Sequence, residues 1–528
     1  MKIRRLRPKG DESLWASEEL IRSEQFGPDR LEQHAVSLAE AQAHEGARGG
    51  GQVLARRLRD NDAVLLNAYR AIARAVENGH TITPSAEWIL DNYHIVEEQI
   101  FQIGGDLPPG YYRQLPRIAK GHFAGLPRVF GIAWAYVAHM DSRFDVDTLC
   151  RMLAAYQRVH PLTIGELWAV AITLRIVLVE NLRRAAQRIV RSHRLRRRAD
   201  AIADRVLGLS AEPPIPIADA IRSIGPTYPP TLLVQLAHRL RDPGPLVTSS
   251  IQWLDEQAVR QGGTMEDFVS REHQRQAAMN VTVRNIITSM RQISAIDWGE
   301  IFERVSLVDD VLRQGSRFAE LDFQTRDSYR RAIENVARRS SATELEVTQR
   351  AVDLAQSAEA PTARNGDPGY YLIGEGATTL RGQVEYLPGP IERLRVGLAR
   401  IGVPGYVALI GASTALVLAL ALAAAVAPTT PWPLVLLLAI VGIVPASELA
   451  TGLLNRILAT AFVPKALPAL DFQAGVSDEA RTLVAVPALL SSPAEVDELV
   501  SRLEVHYLGN TGPNIVFALL TDWRDSPT

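Results

Sequence analysis

Two apolar stretches near residue 400 restrict what this chain can fold into. The first runs from about Val403 to Val426 without a charge, and the second from about Pro433 to Leu454 with one, Glu448. A helix needs roughly 20 apolar residues to cross the hydrocarbon layer of a bilayer, and each stretch reaches that length. Runs so uniform in Leu, Ala and Val are uncommon in soluble helices, which favours a membrane hairpin over a buried one. Arg393, Arg395 and Arg400 precede the first stretch, Arg456 and Lys465 follow the second, and Ala427–Trp432 between them has no basic residue. The positive-inside rule then places both flanks in the cytoplasm and the short loop outside, with Trp432 as an interfacial aromatic.

The remaining composition narrows the class. Met1–Gly10 is basic but leads into no apolar core, so it is not a secretory signal. The single cysteine, Cys150, rules out an internal disulfide framework and fits a reducing compartment. A net charge of −2 gives no general reason to expect a polyanion partner, and no nucleic acid is expected. From about Asp29 to Ala358 apolar residues recur at helical spacing. Helices are expected over Gln52–Asn78, Thr83–Ile103, Thr163–Leu209 (as one helix or two abutting ones), Pro230–Arg241, Val247–Gln261, Met265–Ile293 and Thr325–Ser357. The apolar half of Thr163–Leu209 is interrupted by Arg175 and reads as a core helix, not a third span.

The last fifty residues change period. Thr482–Pro487 reads as a buried strand, Pro493–Tyr507 as an amphipathic helix with Val496, Leu499, Val500 and Leu503 on one face, and Asn514–Leu520 as a second strand. This is a βαβ unit with parallel strands. Two such strands do not make a stable sheet alone, so the expectation is an incomplete domain that continues or is completed by a partner. The expected fold is mainly α. A flexible basic tail (1–28) precedes a cytoplasmic all-helical domain (29–365) and a juxtamembrane linker (366–402). Two transmembrane helices follow (403–427 and 432–454), then an interfacial segment (455–478) and the start of an α/β nucleotide-sugar domain (479–528).

Candidate sites are few. A strand closing at Pro487, a helix, and a strand closing at Asp522 form the opening shared by many nucleotide-sugar glycosyltransferases, in which nucleotides bind at the carboxyl ends of parallel strands. Asp522 either accepts hydrogen bonds from a base or ribose there, or caps a turn with Asp525. Glu448 is an ionisable group in a span and so a functional candidate. It either takes part in a polymer path or in packing, or reaches water toward the cytoplasmic end. The run Arg191–Arg198 reads as a solvated helix face paired with Asp200 and Asp204 in preference to a lipid contact. His94 with Glu97 and Glu98 lacks further ligands for a closed metal site, so no metal ligands are expected. Asp141, Asp145 and Asp147 lack the mid-loop glycine and terminal Glu of a calcium loop and read as helix caps. Tyr111, Tyr112, Trp134 and Tyr136 read as core aromatics in preference to sugar-stacking ones.

Several runs resemble one family. Asn92–Ile100, Asp106–Pro116, Arg128–Ala133, Leu321–Arg330, Gly369–Gly374, Arg481–Pro487 and Arg502–Leu508 are similar, in order, to the N-terminal region of cyclic β-1,2-glucan synthases, up to the entry of the glycosyltransferase domain. The resemblance implies a very large, multi-pass inner-membrane enzyme that uses UDP-glucose to extend and then cyclise a β-1,2-glucan. It also implies a divalent cation (Mg or Mn) in the full-length enzyme. Only Asp522, with the Pro487 loop, carries over as a nucleotide-sugar-binding residue. The family's metal-binding and base motifs have no counterpart in this sequence, so the chain alone is expected to be inactive, with no catalytic residues. The alternative is a non-enzymatic helical membrane scaffold that binds partners.

Overall fold

The computed structural model describes residues 14–15, 17–42, 44–45, 52–106, 112, 114–221, 228–240, 245–358, 364–427, 429–461, 467–473, 475–510 and 512–523. Residues 1–13 and Ala16 of the basic tail, Tyr111, Lys465 and Asp525 lie outside the described residues. The chain divides into two compact units, Met1–Ser306 and Leu307–Thr528, a division that falls within the stretch read as one helical domain.

The first unit is helical. Its helices are α1 (Pro28–Ala41), α2 (Gln52–Glu77), α3 (Pro84–Asp91), α4 (Tyr93–Asp106), α5 (Arg128–His139), α6 (Val146–Gln157), α7 (Ile164–Val206), α8 (Pro230–Arg239), α9 (Pro245–Arg260), α10 (Met265–Ala295) and α11 (Trp298–Val305). A two-residue antiparallel pairing joins β1 (His44–Glu45) to β2 (Arg117–Ile118), and Arg117 also bridges Pro127. The sequence does not announce it, because two residues carry no period.

The 43-residue α7 is the axis of the unit, packed by α2, α5, α8 and α10. Its start is fixed by a capping box, Thr163 with Glu166. It ends at Gly208, whose φ of +71° suits the left-handed residue that closes a helix. From Ile164 to Ala186 nearly every side chain is buried, as expected of a helix surrounded by others. The charges it buries are paired. Arg128 (2 % exposed) meets Glu166 (0 %) through Nε at 2.8 Å. Glu180 (1 %) accepts from Arg57, Arg183 and Arg184. Arg175 lies against Asp106 at 3.8 Å, and burial lowers its pKa. The core-helix reading of this segment stands. Toward its end, Ile202, Ala203 and Val206 enter a separate cluster with Leu232, Leu236 and Leu254.

The helix expected over Thr83–Ile103 is two helices. Asn92 adopts φ −116° and ψ 18°, and its side-chain amide bonds the Trp88 carbonyl, so the side chain competes with the helical ladder.

The second unit begins with α12 (Leu307–Gly315), α13 (Phe323–Ala337) and α14 (Glu344–Gln356), then two short helices, α15 (Pro368–Leu372) and α16 (Ala377–Gln383). The single helix expected over Thr325–Ser357 is interrupted because Thr343 and Glu346 form a capping box that starts α14 afresh. Arg330 and Asp309, both 0 % exposed, tie α13 to α12. Gly369 lies where a Cβ would stand 1.8 Å from the Tyr329 hydroxyl, which itself donates to Asp367 at 2.8 Å. The segment read as a linker is therefore partly folded, with Tyr371, Leu372, Leu380 and Val384 buried.

The apolar hairpin follows as α17 (Pro390–Ala425) and α18 (Trp432–Ala461). α17 is two helices joined at Gly402 (φ 56°, ψ −157°), and Pro404 falls in the first turn of the apolar one. The apolar helices Gly402–Ala425 and Trp432–Thr460 have mean hydropathies of 2.4 and 2.2, with 0 % and 11 % of their apolar windows buried within the chain. A soluble core helix would be covered, whereas these leave their apolar surface for another solvent. Ala446, Ala450 and Leu454 are buried at successive i+4 positions of α18. Gly442 extends that line, and Leu418 lies 2.8 Å from where its Cβ would be. A seam of small residues brings two helices close in lipid. Tyr406 donates to Asn455 at 2.6 Å across the pair.

The chain then returns to the helices of the same unit. Asp322 N donates to the Ala469 carbonyl at 2.9 Å, Asp471 N to Glu320 at 2.8 Å, and Ala469 N to Thr325 Oγ1 at 3.0 Å.

Candidate functional site

The strand–helix–strand unit forms as expected: β3 (Thr482–Leu490), α19 (Pro493–Gly509) and β4 (Ile515–Trp523), with the strands parallel from Thr482↔Ile515 to Leu490↔Trp523. Leu, Val, Ala and Phe supply the strands. Ser492 ends the first crossing by accepting from Glu495 N, with Pro493 at the first helical position. Asn514 fixes the start of β4. Its carbonyl receives Thr482 N at 2.8 Å, and its amide bonds Val476 O at 2.8 Å and Asp478 Oδ1 at 2.9 Å.

Both strands run further than the sequence suggests. Pro487 lies inside β3, paired with Leu520, and Asp522 lies one residue before the end of β4, paired with Leu489. Pro487 is tolerated for a geometric reason. Since Thr482 N points at β4, the alternate residues up to Ala488 do so as well, and Pro487 faces away, where no ladder bond is lost.

Alternation separates the two faces. Val486 and Ala488 share a half-buried face with Phe517 and Leu519. The His506 ring of α19 stacks on Phe517 at 6.5 Å. Val496, Leu499 and Leu503 are half-buried, while Val500, expected on the same face, is 50 % exposed. The other face is bare. Pro487, Leu489, Leu520 and Asp522 all lie on it, and Leu489 and Leu520 are 55 % and 67 % exposed. The register therefore brings the two candidate residues to one face. The edge at the strand ends presents the exposed Asp522 carboxylate and, from the turn after β3, Ser491 and Ser492. The sequence signal for that turn is the Ser-Ser-Pro run itself. Chemically this edge can accept and donate hydrogen bonds. Among the described residues no group of three His, Cys, Asp or Glu is gathered to hold a metal ion. The divalent cation implied by the resemblance therefore finds no ligand set there.

Glu448 is exposed on α18, off the seam of Gly442, Ala446 and Ala450. The contacts Tyr406–Asn455 and Gly442–Leu418 fix the antiparallel register, which sets Glu448 level with about Ala412–Ser413. That is midway along the helix Gly402–Ala425.

The other candidates resolve into structure. Asp145 caps α6 by accepting from Thr148 N at 2.8 Å, an interaction that holds its carboxyl below the ordinary range. Asp141 is buried with φ +48° and accepts from Thr282 at 2.8 Å. The Tyr112 hydroxyl bonds Thr173, Tyr136 bonds the Asp145 backbone, and Trp134 packs on Arg184. In the basic run, Arg191 pairs with Glu18 at 3.2 Å and Arg196 approaches Glu272 at 3.8 Å. The acids expected to neutralise the run, Asp200 and Asp204, are instead engaged by Arg239.

No family model matches the sequence. The chain is 37 % identical over 514 residues, 96 % of its length, to the cyclic beta-(1,2)-glucan synthase NdvB of Rhizobium meliloti (strain 1021). It spans 18 % of the length of that relative and matches its N-terminal region. Along nearly its whole length, the chain resembles the N-terminal region of a cyclic β-(1,2)-glucan synthase.

Proposed function

We propose that the chain is the N-terminal, membrane-anchoring part of a cyclic β-1,2-glucan synthase, a processive inverting glucosyltransferase that uses UDP-glucose. The observation that carries this reading is the 37 % identity, along 96 % of the chain, to a cyclic β-(1,2)-glucan synthase. Asp522 would accept hydrogen bonds from uracil or ribose, with the turn after β3 contributing backbone contacts. Inversion from an α-linked donor to a β-linked product needs a general base on the acceptor hydroxyl, and the leaving diphosphate needs positive charge. No described residue of the βαβ unit is assigned to either task, and the chain is proposed to be inactive by itself. A divalent cation in the full-length enzyme would take its ligands from elsewhere. The hairpin would lie in the inner membrane with both flanks cytoplasmic, beside soluble UDP-glucose and in position to pass a growing glucan outward. Glu448, level with the middle of the facing helix, is an exposed acidic group of the hairpin available to such a path or to a further helix.

Disruption of the gene is expected to abolish transfer of labelled glucose from UDP-glucose into β-1,2-linked glucan by isolated membranes. Unchanged incorporation would reject the proposal. Alkaline phosphatase fused at Thr430 is expected to be active, and fused at Glu375 inactive; the reverse pattern would invert the assigned orientation.

A further inference from the structure

A cavity of about 380 Å³ lies in the first unit, far in sequence from the βαβ unit. That volume is within the range of small-molecule sites. Its floor is apolar, from Ile72, Ala75, Ile189 and Met279. One wall is the basic run of α7, where Arg188, Ser192 and Arg196 follow one another at i, i+4 and i+8 on one helix face.

Three independent features make this wall a place for an anion. First, Arg196 Nη2 is buried and makes no hydrogen bond; its nearest carboxylate, Glu272 Oε1, is 3.8 Å away, beyond hydrogen-bond reach. Second, Arg188 is half-buried and has no ion pair among the described residues. Third, α3 and α8 both begin at the cavity, through Thr83–Ser85 and Pro229–Thr231, and neither helix has a side-chain cap. Pro84 and Pro230 have no N–H, and Ala86 N and Leu232 N bond the Thr83 and Pro229 carbonyls, so each start offers the N–H of its second residue, Ser85 or Thr231, at the positive end of the helix dipole. The lining holds four arginines (Arg188, Arg191, Arg196, Arg275) against three glutamates (Glu18, Glu19, Glu272), so one further negative charge balances it. Glu272 is already counted in that balance and stands 3.8 Å from both Arg196 and Arg275. It is 4 % exposed and already accepts from Thr231 at 3.2 Å and Gln276 at 3.1 Å.

We propose that this cavity binds an organic phosphate, its anionic group against Arg188, Arg196 and the two helix starts and its body on the apolar floor. Guanidinium groups and helix N-termini both favour phosphate oxygens, and the floor selects an ester over the bare ion. The same chemistry is offered by a soluble phosphate monoester and by a lipid headgroup.

The test is calorimetric titration of the full chain in neutral detergent with phenyl phosphate, dihexanoyl phosphatidic acid and inorganic phosphate. Phenyl phosphate is expected to bind at least about tenfold more tightly than inorganic phosphate. Arg188→Gln and Arg196→Gln are each expected to weaken it about tenfold, the effect of one charge-assisted hydrogen bond. Ser192→Phe, which fills the cavity and removes no charge, is expected to abolish binding while thermal unfolding stays cooperative. Binding of phosphatidic acid alone, with the same variant losses, supports the site and assigns its ligand to the membrane. Absence of binding by both esters, or affinity unchanged in all three variants, overturns the proposal.

Discussion

Glu180 is 1 % exposed and surrounded by Arg57, Arg183 and Arg184. Burial pushes its carboxyl pKa up, but hydrogen bonds and charge from Arg57 and Arg183 outweigh that, so the group sits below its ordinary value of 4.5. A folded-state pKa below the unfolded one contributes stability above the unfolded value and loses it as pH falls through the folded one. Stability of the first unit is therefore expected to drop below about pH 4.5, and Glu180→Gln is expected to flatten that dependence. The same variant strands buried guanidinium groups and is expected to cost about 3–5 kcal/mol at neutral pH, read by denaturant unfolding. A second residue-scale prediction concerns Gly369. A methyl group there meets the Tyr329 hydroxyl, so Gly369→Ala is expected to destabilise by about 1–3 kcal/mol, partly recovered by Tyr329→Phe in the same chain.

At the scale of elements, long periodic segments were legible and short ones were not. Gln52–Glu77 and Met265–Ala295 carry enough turns for their apolar faces to repeat. Trp298–Val305 and Leu307–Gly315 have two turns each and went unread. Breaks inside long helices were also missed, because Asn92 and Thr343 act through side-chain bonds to the backbone, not through hydrophobic period. The βαβ unit was legible in full, but Pro487 was taken as a strand end. A proline within a strand reveals its tolerance only when the direction of its missing donor is known. The Asp522 edge was legible as a position, and its sharing of a face with Pro487 emerged only from register. Two predictions belong here. Thr163→Ala removes the capping box of α7 and is expected to cost about 0.5–2 kcal/mol in thermal or denaturant unfolding. Tyr406→Phe removes the bond to Asn455 between the apolar helices and is expected to cost about 0.6 kcal/mol in detergent or bilayer, as is usual for one interhelical hydrogen bond.

On the scale of the whole molecule, the exposed apolar surface of the hairpin and the exposed face of the βαβ sheet are two places where the described residues present surface that water does not favour. The first matches a lipid environment. The second matches the parallel sheets of α/β proteins, which are covered on both faces. Residues 467–471 reach the helices only if both ends of the hairpin emerge on one side of the membrane. Impermeant thiol labelling of single cysteines at Glu320 and Gln473 is expected to report the same side for both, and Thr430 the other. Labelling of Glu320 and Gln473 from opposite sides would contradict the hydrogen bonds between their neighbours.

Those same hydrogen bonds impose an order on biogenesis. Glu320, Asp322 and Thr325 leave the ribosome well over a hundred residues before their partners Ala469 and Asp471. During that interval the edge they form has no companion strand. The clasp shuts only after the apolar hairpin that separates the two segments has been made.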